Sequence, residues 1–101
     1  MGVALIVVDV QPDFLPGGAL PVPDGDAVLP PIRRLLDECT YPLVVATQDW
    51  HPPDHLSFAV QHGKKPGEVI DLNGQPQVLW PVHCVQSTPG AEFVPELHTA
   101  S

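Results

Sequence analysis

Basic residues are scarce. The 101-residue chain has four Lys and Arg against twelve Asp and Glu, a net charge of −8. Binding a phosphate backbone needs clustered Lys and Arg, so nucleic acid is excluded as a partner. An anionic membrane surface is excluded on the same ground. The one basic pair, Lys64-Lys65, reads as a solvated loop. Cysteine is scarcer still. Cys39 and Cys84 are too few for a disulfide framework. Cys39 falls on a helix-like stretch and is expected to be a buried small hydrophobe. No apolar run reaches the length of a membrane span. The opening "MGVALIVVDVQPD" has no basic n-region and its apolar run stops at Asp9, so no secretory signal is expected and a cytoplasmic location is the default.

What is present bounds the chain to one small domain, with an apolar fraction of 44%. A chain of this size buries roughly 60–70% of its unfolded surface, enough for a core with little reserve. Fourteen prolines imply many irregular connections. The run Val3 to Val8 reads as a strand buried on both faces, as in a parallel sheet. The Pro- and Gly-rich segment after Asp9 reads as a long loop. Val28, Leu29, Ile32, Leu35, Leu36 and Cys39 recur at helical spacing, with Asp26 as N-cap. Pro30 and Pro31 fit only the first turn, so the helix is free to start later than the pattern does. Leu43 to Thr47 reads as a second buried strand. Strand, helix, strand is a βαβ unit, hence an α/β fold with a parallel sheet. Residues 50–90 show little periodicity, which marks them as functional or misread. "PGAEFVPELH" is expected to begin a short helix at Pro89 or Gly90.

Ligands of an open α/β sheet bind outside the carboxyl ends of its strands. Asp9 ends the first strand; Asp49 and His51 end the second. All three are therefore expected on one edge. In an extended segment Asp49 and His51 point to the same face, about 6–7 Å apart, and can share a cation. His55 and, across the long loop, His83 could join them. Imidazole plus carboxylate suits zinc, iron or manganese, and such a set leaves positions open for water or substrate. The alternative is a polar loop with histidines bonded to backbone. His62 and His98 lack convergent partners and read as surface residues. Asp9 either caps the following turn or acts as a general base tuned by its neighbours. Phe14 and Trp80 either pack simply or wall a flat apolar ring.

The segments "ALIVVDVQPDFLPGGALPVPDGD", "VVATQDWHPPDHLSFA" and "LWPVHCVQSTPGAEFVPEL" together resemble the nicotinamidases of the isochorismatase-like hydrolase superfamily. The likeness runs from Ala4 to Leu97 and rests on the DVQ-x-DF, Q-D-W-H-P and W-P-x-H-C-V blocks, in that order. It implies that residues 1–101 form the N-terminal, metal-site part of a three-layer α/β/α domain. It implies hydrolysis of nicotinamide, or a related amide, to nicotinate and ammonia in NAD salvage. By resemblance Asp9 is the acid/base member of a Cys-Asp-Lys triad. Asp49, His51 and His83 are ligands of a divalent metal, zinc first, with iron or manganese as alternatives. His55 matches a position that supplies a further ligand in some members and not in others. Phe14 and Trp80 flank the pyridine ring, whose nitrogen meets the metal, and Cys84 is not the nucleophile.

The same resemblance places the triad lysine after the W-P-x-H-C block and the nucleophilic cysteine later still. This sequence has neither residue type beyond Cys84. The chain alone is therefore expected to be an ineffective amidase. The alternative reading is a non-catalytic metal- or nicotinamide-binding half-domain that pairs with another chain. A truncated product, a split domain and a fragment all fit. Each leaves an apolar sheet edge open to self-association.

Overall fold

Val3–Val8 and the run after Tyr41 are β-branched and apolar, and both become strands. A computed structural model of the chain describes residues 2–95. Strand β1 is Ala4–Val7 and β2 is Leu43–Ala46. They pair in parallel, with Ala4 opposite Leu43 and Val7 opposite Ala46. Parallel neighbours need a crossover. Helix α1, Leu29–Glu38, supplies it and completes the expected βαβ unit. Pairing runs past the strand ends: the Thr47 N–H donates to the Val7 carbonyl at 2.8 Å, and the Asp9 N–H to the Thr47 carbonyl at 3.2 Å. The carboxyl ends of both strands therefore lie level.

Pro30 and Pro31 occupy the first turn of α1, where their missing N–H groups would have no intrahelical partner. Asp26 does not cap the helix. It lies in a 3-10 turn, Gly25–Val28, that feeds straight into α1, and the residue before the helix, Val28, already has helical dihedrals (φ −78°, ψ −19°). No extended residue is left from which a side chain could reach back.

Leu29, Ile32 and Leu36 of α1 pack on a cluster of Val7, Val10 and Val94. That covers one face of the sheet. The other face is open: Ile6 is 60% exposed, Val8 63% and Leu43 56%. The expectation of strands buried on both faces fails here. An uninterrupted apolar run looks the same whether or not its second face is covered. Among the described residues one helical layer lies on the sheet. No helix among them is long and apolar enough to cross a membrane.

The long stretch after Asp49 is more regular than its composition implies. Strands β3, Val69–Leu72, and β4, Gln75–Val78, form an antiparallel hairpin. Asn73 (φ 53°) and Gly74 (φ 83°) make its two-residue turn. Two positive φ values match the right-handed twist of the flanking strands, which is why Asn-Gly signals a hairpin. Pro76 hides β4 in the sequence, but a two-stranded ribbon tolerates proline at its free edge.

Two isolated bridges zip the end of the loop to its beginning. Phe58 pairs with Trp80, and His51 with Val85. The His51 N–H donates to the Cys84 carbonyl and the Gln86 N–H to the His51 carbonyl, both at 2.8 Å. Phe58, Ala59, Leu79, Cys84 and Ala91 are buried around these crossings. The expected helix at Pro89 is a single 3-10 turn, Pro89–Ala91. The end of that segment, Glu96 to His98, lies outside the described residues.

The two thiols differ. Cys39 is exposed, against expectation, because the backbone turns extended at that residue (φ −118°, ψ 149°) and carries it off the apolar stripe of α1. Cys84 has no exposed surface. Burial, aided by the Asp13, Asp49 and Asp9 carboxylates, pushes its thiol up to about 12. Treatment of the native chain with iodoacetamide should therefore modify Cys39 and spare Cys84 until denaturant is added, as peptide mass mapping would show. Equal labelling of both in the native chain would contradict this packing.

A candidate metal centre at the sheet edge

Asp49 is the hub. Its Oδ2 lies 3.4 Å from Nε2 of His51 and 3.9 Å from Nε2 of His83. One ligand atom from each of the three residues lies within 4.8 Å of the other two. Around a tetrahedral zinc, ligand atoms sit roughly 3.3 Å apart. Asp49 and His51 reach this point as strand-end neighbours. His83 comes from 34 positions beyond Asp49, drawn in by the His51–Val85 bridge.

The tautomers suit a cation. Nδ1 of His83 lies 2.8 Å from the Pro81 carbonyl, which can only accept, so that nitrogen carries the proton. Its other ring nitrogen, Nε2, faces Asp49. Burial, with His55 second, pushes the His51 imidazole below its ordinary value, and Asp49 opposes this. Nε2 of His51 and Nε2 of His83 thus both face the Asp49 carboxylate, and a divalent ion between them would be held by one atom from each side chain. An outward Nδ1–H bonded to a carbonyl is also how metal-bound histidines are usually oriented. The donor set fits a divalent ion.

His55 stands beside this group and outside it. Its ring stacks on His51 at 4.1 Å, and its Nδ1 lies 2.7 Å from the Ser57 hydroxyl. Phe58, fully buried, presents its ring to all three imidazoles, with centroids 5.7 Å from His51 and His55 and 5.4 Å from His83. His62 is bonded to the Leu56 carbonyl, away from the group.

Asp9 sits at the level of the strand ends in the left-handed region (φ 53°). Its Oδ1 accepts from the Thr47 hydroxyl at 2.7 Å. Its Oδ2 has no hydrogen-bond partner among the described residues. Asp9 and Phe14 line a cleft of about 160 Å³ with Val10, Leu15 and Val28. The Phe14 ring lies 5.8 Å from that of His83. Trp80 is 40% exposed, and its backbone is paired with Phe58.

Sequence reasoning passed over three residues: Gln11, Asp13 and Phe58. Gln11 is completely buried and bonds both peptide groups of Asp49. The Asp13 carboxylate accepts the Cys84 N–H at 2.7 Å. The available cue was a polar pair, Gln11 and Asp13, between an apolar strand and Phe14, but polar residues beside prolines read first as loop. Phe58 is flanked by Ser57 and Ala59, with no periodic pattern to mark it as core.

Comparison with known proteins bears on the family and the fold. The isochorismatase domain model matches residues 3–101. The nicotinamidase of Escherichia coli (strain K12) is 50% identical over 97 residues, which cover 94% of this chain and 46% of that protein. A solved nicotinamidase/pyrazinamidase from Acinetobacter baumanii superposes with a TM-score of 0.86 at 53% identity, over 94% of this chain and 45% of that one. A pyrazinamidase of Pyrococcus horikoshii, solved in complex with zinc, superposes with a TM-score of 0.63 at 49% identity, over 90% of this chain and 44% of that one. The chain thus spans about half the length of the relatives it matches. With a match that covers nearly every residue, on an α/β unit whose strand ends carry the carboxylates and imidazoles, the chain belongs to the isochorismatase domain family.

Proposed function

We propose that this chain is the metal-binding part of a nicotinamidase-type amidohydrolase, which converts nicotinamide and water to nicotinate and ammonia and so feeds NAD salvage. The observation that carries this reading is the convergence of Asp49, His51 and His83 at the end of the strand pair that also ends at Asp9, whose Oδ2 has no hydrogen-bond partner among the described residues. The kinship to nicotinamidases supports the substrate class. A divalent ion on the three side chains, zinc first, would supply a Lewis-acidic anchor for a ring nitrogen.

The chain's own residues do the rest of the positioning. Phe14, beside His83 and in the cleft with Asp9, offers one wall to a flat ring. Trp80 is assigned the opposite wall. Asp9 holds its Oδ1 on Thr47 and keeps Oδ2 free to take a proton from a nucleophile and pass it to departing ammonia. Cys84 is not assigned that role: its side chain is fully buried, and burial with the nearby carboxylates pushes its thiol up, away from the thiolate form. The sequence has no other cysteine near the site, since Cys39 follows α1.

A second reading has its own support. The open face with Ile6, Val8 and Leu43 would suit a chain that binds metal or nicotinamide and docks on another polypeptide. Light scattering against concentration separates the two. A strict monomer at all concentrations removes self-association through this face.

Metal uptake is the first test of the site. The wild-type chain should take one equivalent of Zn²⁺ or Co²⁺. His51→Ala and His83→Ala should each weaken it by more than the roughly 10–100-fold that losing an outer-shell partner costs. His62→Ala should leave it unchanged. Equal affinity in all four proteins would refute the assignment of ligands.

Activity is the second. With nicotinamide and added metal, the lone chain should release no ammonia above the metal-only blank, since losing a nucleophile costs several orders of magnitude in rate. Metal-dependent release that disappears in Asp9→Ala would overturn the predicted inactivity and point to an unassigned nucleophile.

A further inference from the structure

We infer that Gln11 and Asp13 are positioning residues that fix the ligands Asp49 and His83 through their backbones, an assignment that rests on the metal reading above. The two side chains leave one short stretch after β1, in and beside the 3-10 turn Pro12–Phe14. They reach the two ligands that come from opposite ends of the long loop.

Gln11 is fully buried, and both ends of its amide are bonded. Its Oε1 accepts the Asp49 N–H at 2.9 Å. Its Nε2 donates to the Asp49 carbonyl at 2.8 Å and to the Ala91 carbonyl at 2.7 Å. The Asp49 N–H and carbonyl flank its Cα on either side. Holding both fixes φ and ψ of Asp49 and leaves only the side-chain torsions to aim the carboxylate. The demand is for a donor and an acceptor together. A glutamate would have the same length but would set an anionic oxygen against two carbonyls.

Asp13 acts on His83 in the same way. Its Oδ2 accepts the Cys84 N–H at 2.7 Å, and that N–H belongs to the peptide joining His83 to Cys84. The bond therefore fixes ψ of His83, and it does so where the chain is strained: Cys84 has φ 49°, a region that disfavours any side chain. Its Oδ1 accepts from the Ala19 N–H at 3.3 Å. Gly90 packs directly on the carboxylate, where a Cβ would collide with it. Asp13 is held from two sides while it holds the third.

Cobalt titration of the full chain, read by visible absorption, tests this without reference to turnover. Wild type, Gln11→Ala, Gln11→Glu, Asp13→Ala and Asp13→Asn are compared, each with a thermal melt of the metal-free protein. Gln11→Glu should bind Co²⁺ roughly 10–100-fold more weakly, with altered visible bands. Asp13→Ala should weaken binding to a similar extent. Asp13→Asn keeps an acceptor for the Cys84 N–H and should recover most of the affinity. A pure packing role predicts instead that the near-isosteric Gln11→Glu binds as wild type, and that result overturns the inference for Gln11. Asp13→Asn no better than Asp13→Ala overturns it for Asp13. Should Gln11→Ala fail to fold, Gln11→Glu and the Asp13 pair decide the matter. No cobalt uptake by the wild type would fell the metal reading itself, which is a different outcome from a wild type that binds and variants that match it.

Discussion

Everything at this site depends on the parallel alignment of β1 and β2. The backbone bond from Thr47 to Val7 sets the strands level, and the next, from Asp9 to Thr47, carries the level past their ends. Asp9 and Asp49 thereby leave the sheet at one height. Neither residue need be drawn there by its own charge. The apolar strands and the helix that returns the chain dictate it, because a parallel pair can be joined only by a crossover, and the crossover's apolar stripe must lie on the sheet.

The second half of the site is assembled by a different means. His83 arrives on a segment that is neither helix nor regular strand. It is laid along His51–Ala59 by four backbone hydrogen bonds at 2.8 Å and by the burial of Phe58, Leu79 and Cys84. Polar side chains then refine the fit. Gln11, Gln48 and the Ala91 carbonyl form one partly buried knot, with Gln48 Nε2 also 2.7 Å from that carbonyl. In a small domain with a thin core, such hydrogen-bonded networks confer a definite geometry that apolar packing alone would leave loose.

The βαβ unit was readable because two β-branched runs and a 3.6-residue stripe are local signals. The position of Asp9, Asp49 and His51 followed from topology. The meeting of His83 with them did not: no periodicity records that Val85 pairs with His51 across the long loop. His83 stood only as one candidate across that loop, beside His55, and the block resemblance singled it out. Exposure was misjudged at Ile6 and at Cys39, in both cases because sequence pattern reports what a face could bury and says nothing of what is there to cover it. Asp26 was misassigned because a cap needs a preceding extended residue, and dihedrals are invisible in composition. The hairpin carried a plain Asn73-Gly74 cue that proline and glutamine on its second strand obscured.

The hairpin has a further consequence. Asp49 and His83 bracket a long excursion of chain, and an ion shared by them would act as a clasp on that excursion. Closing a loop costs entropy that grows with the number of free residues inside it. Among the described residues, strands β3 and β4 pair with each other alone, through a turn of two residues, so they can form before the clasp closes. The eight strand residues and the two of the turn then leave the count of loose chain. The excursion is thus shortened from within, and the ion, when it arrives, binds ends that are already nearer than the sequence distance between them implies.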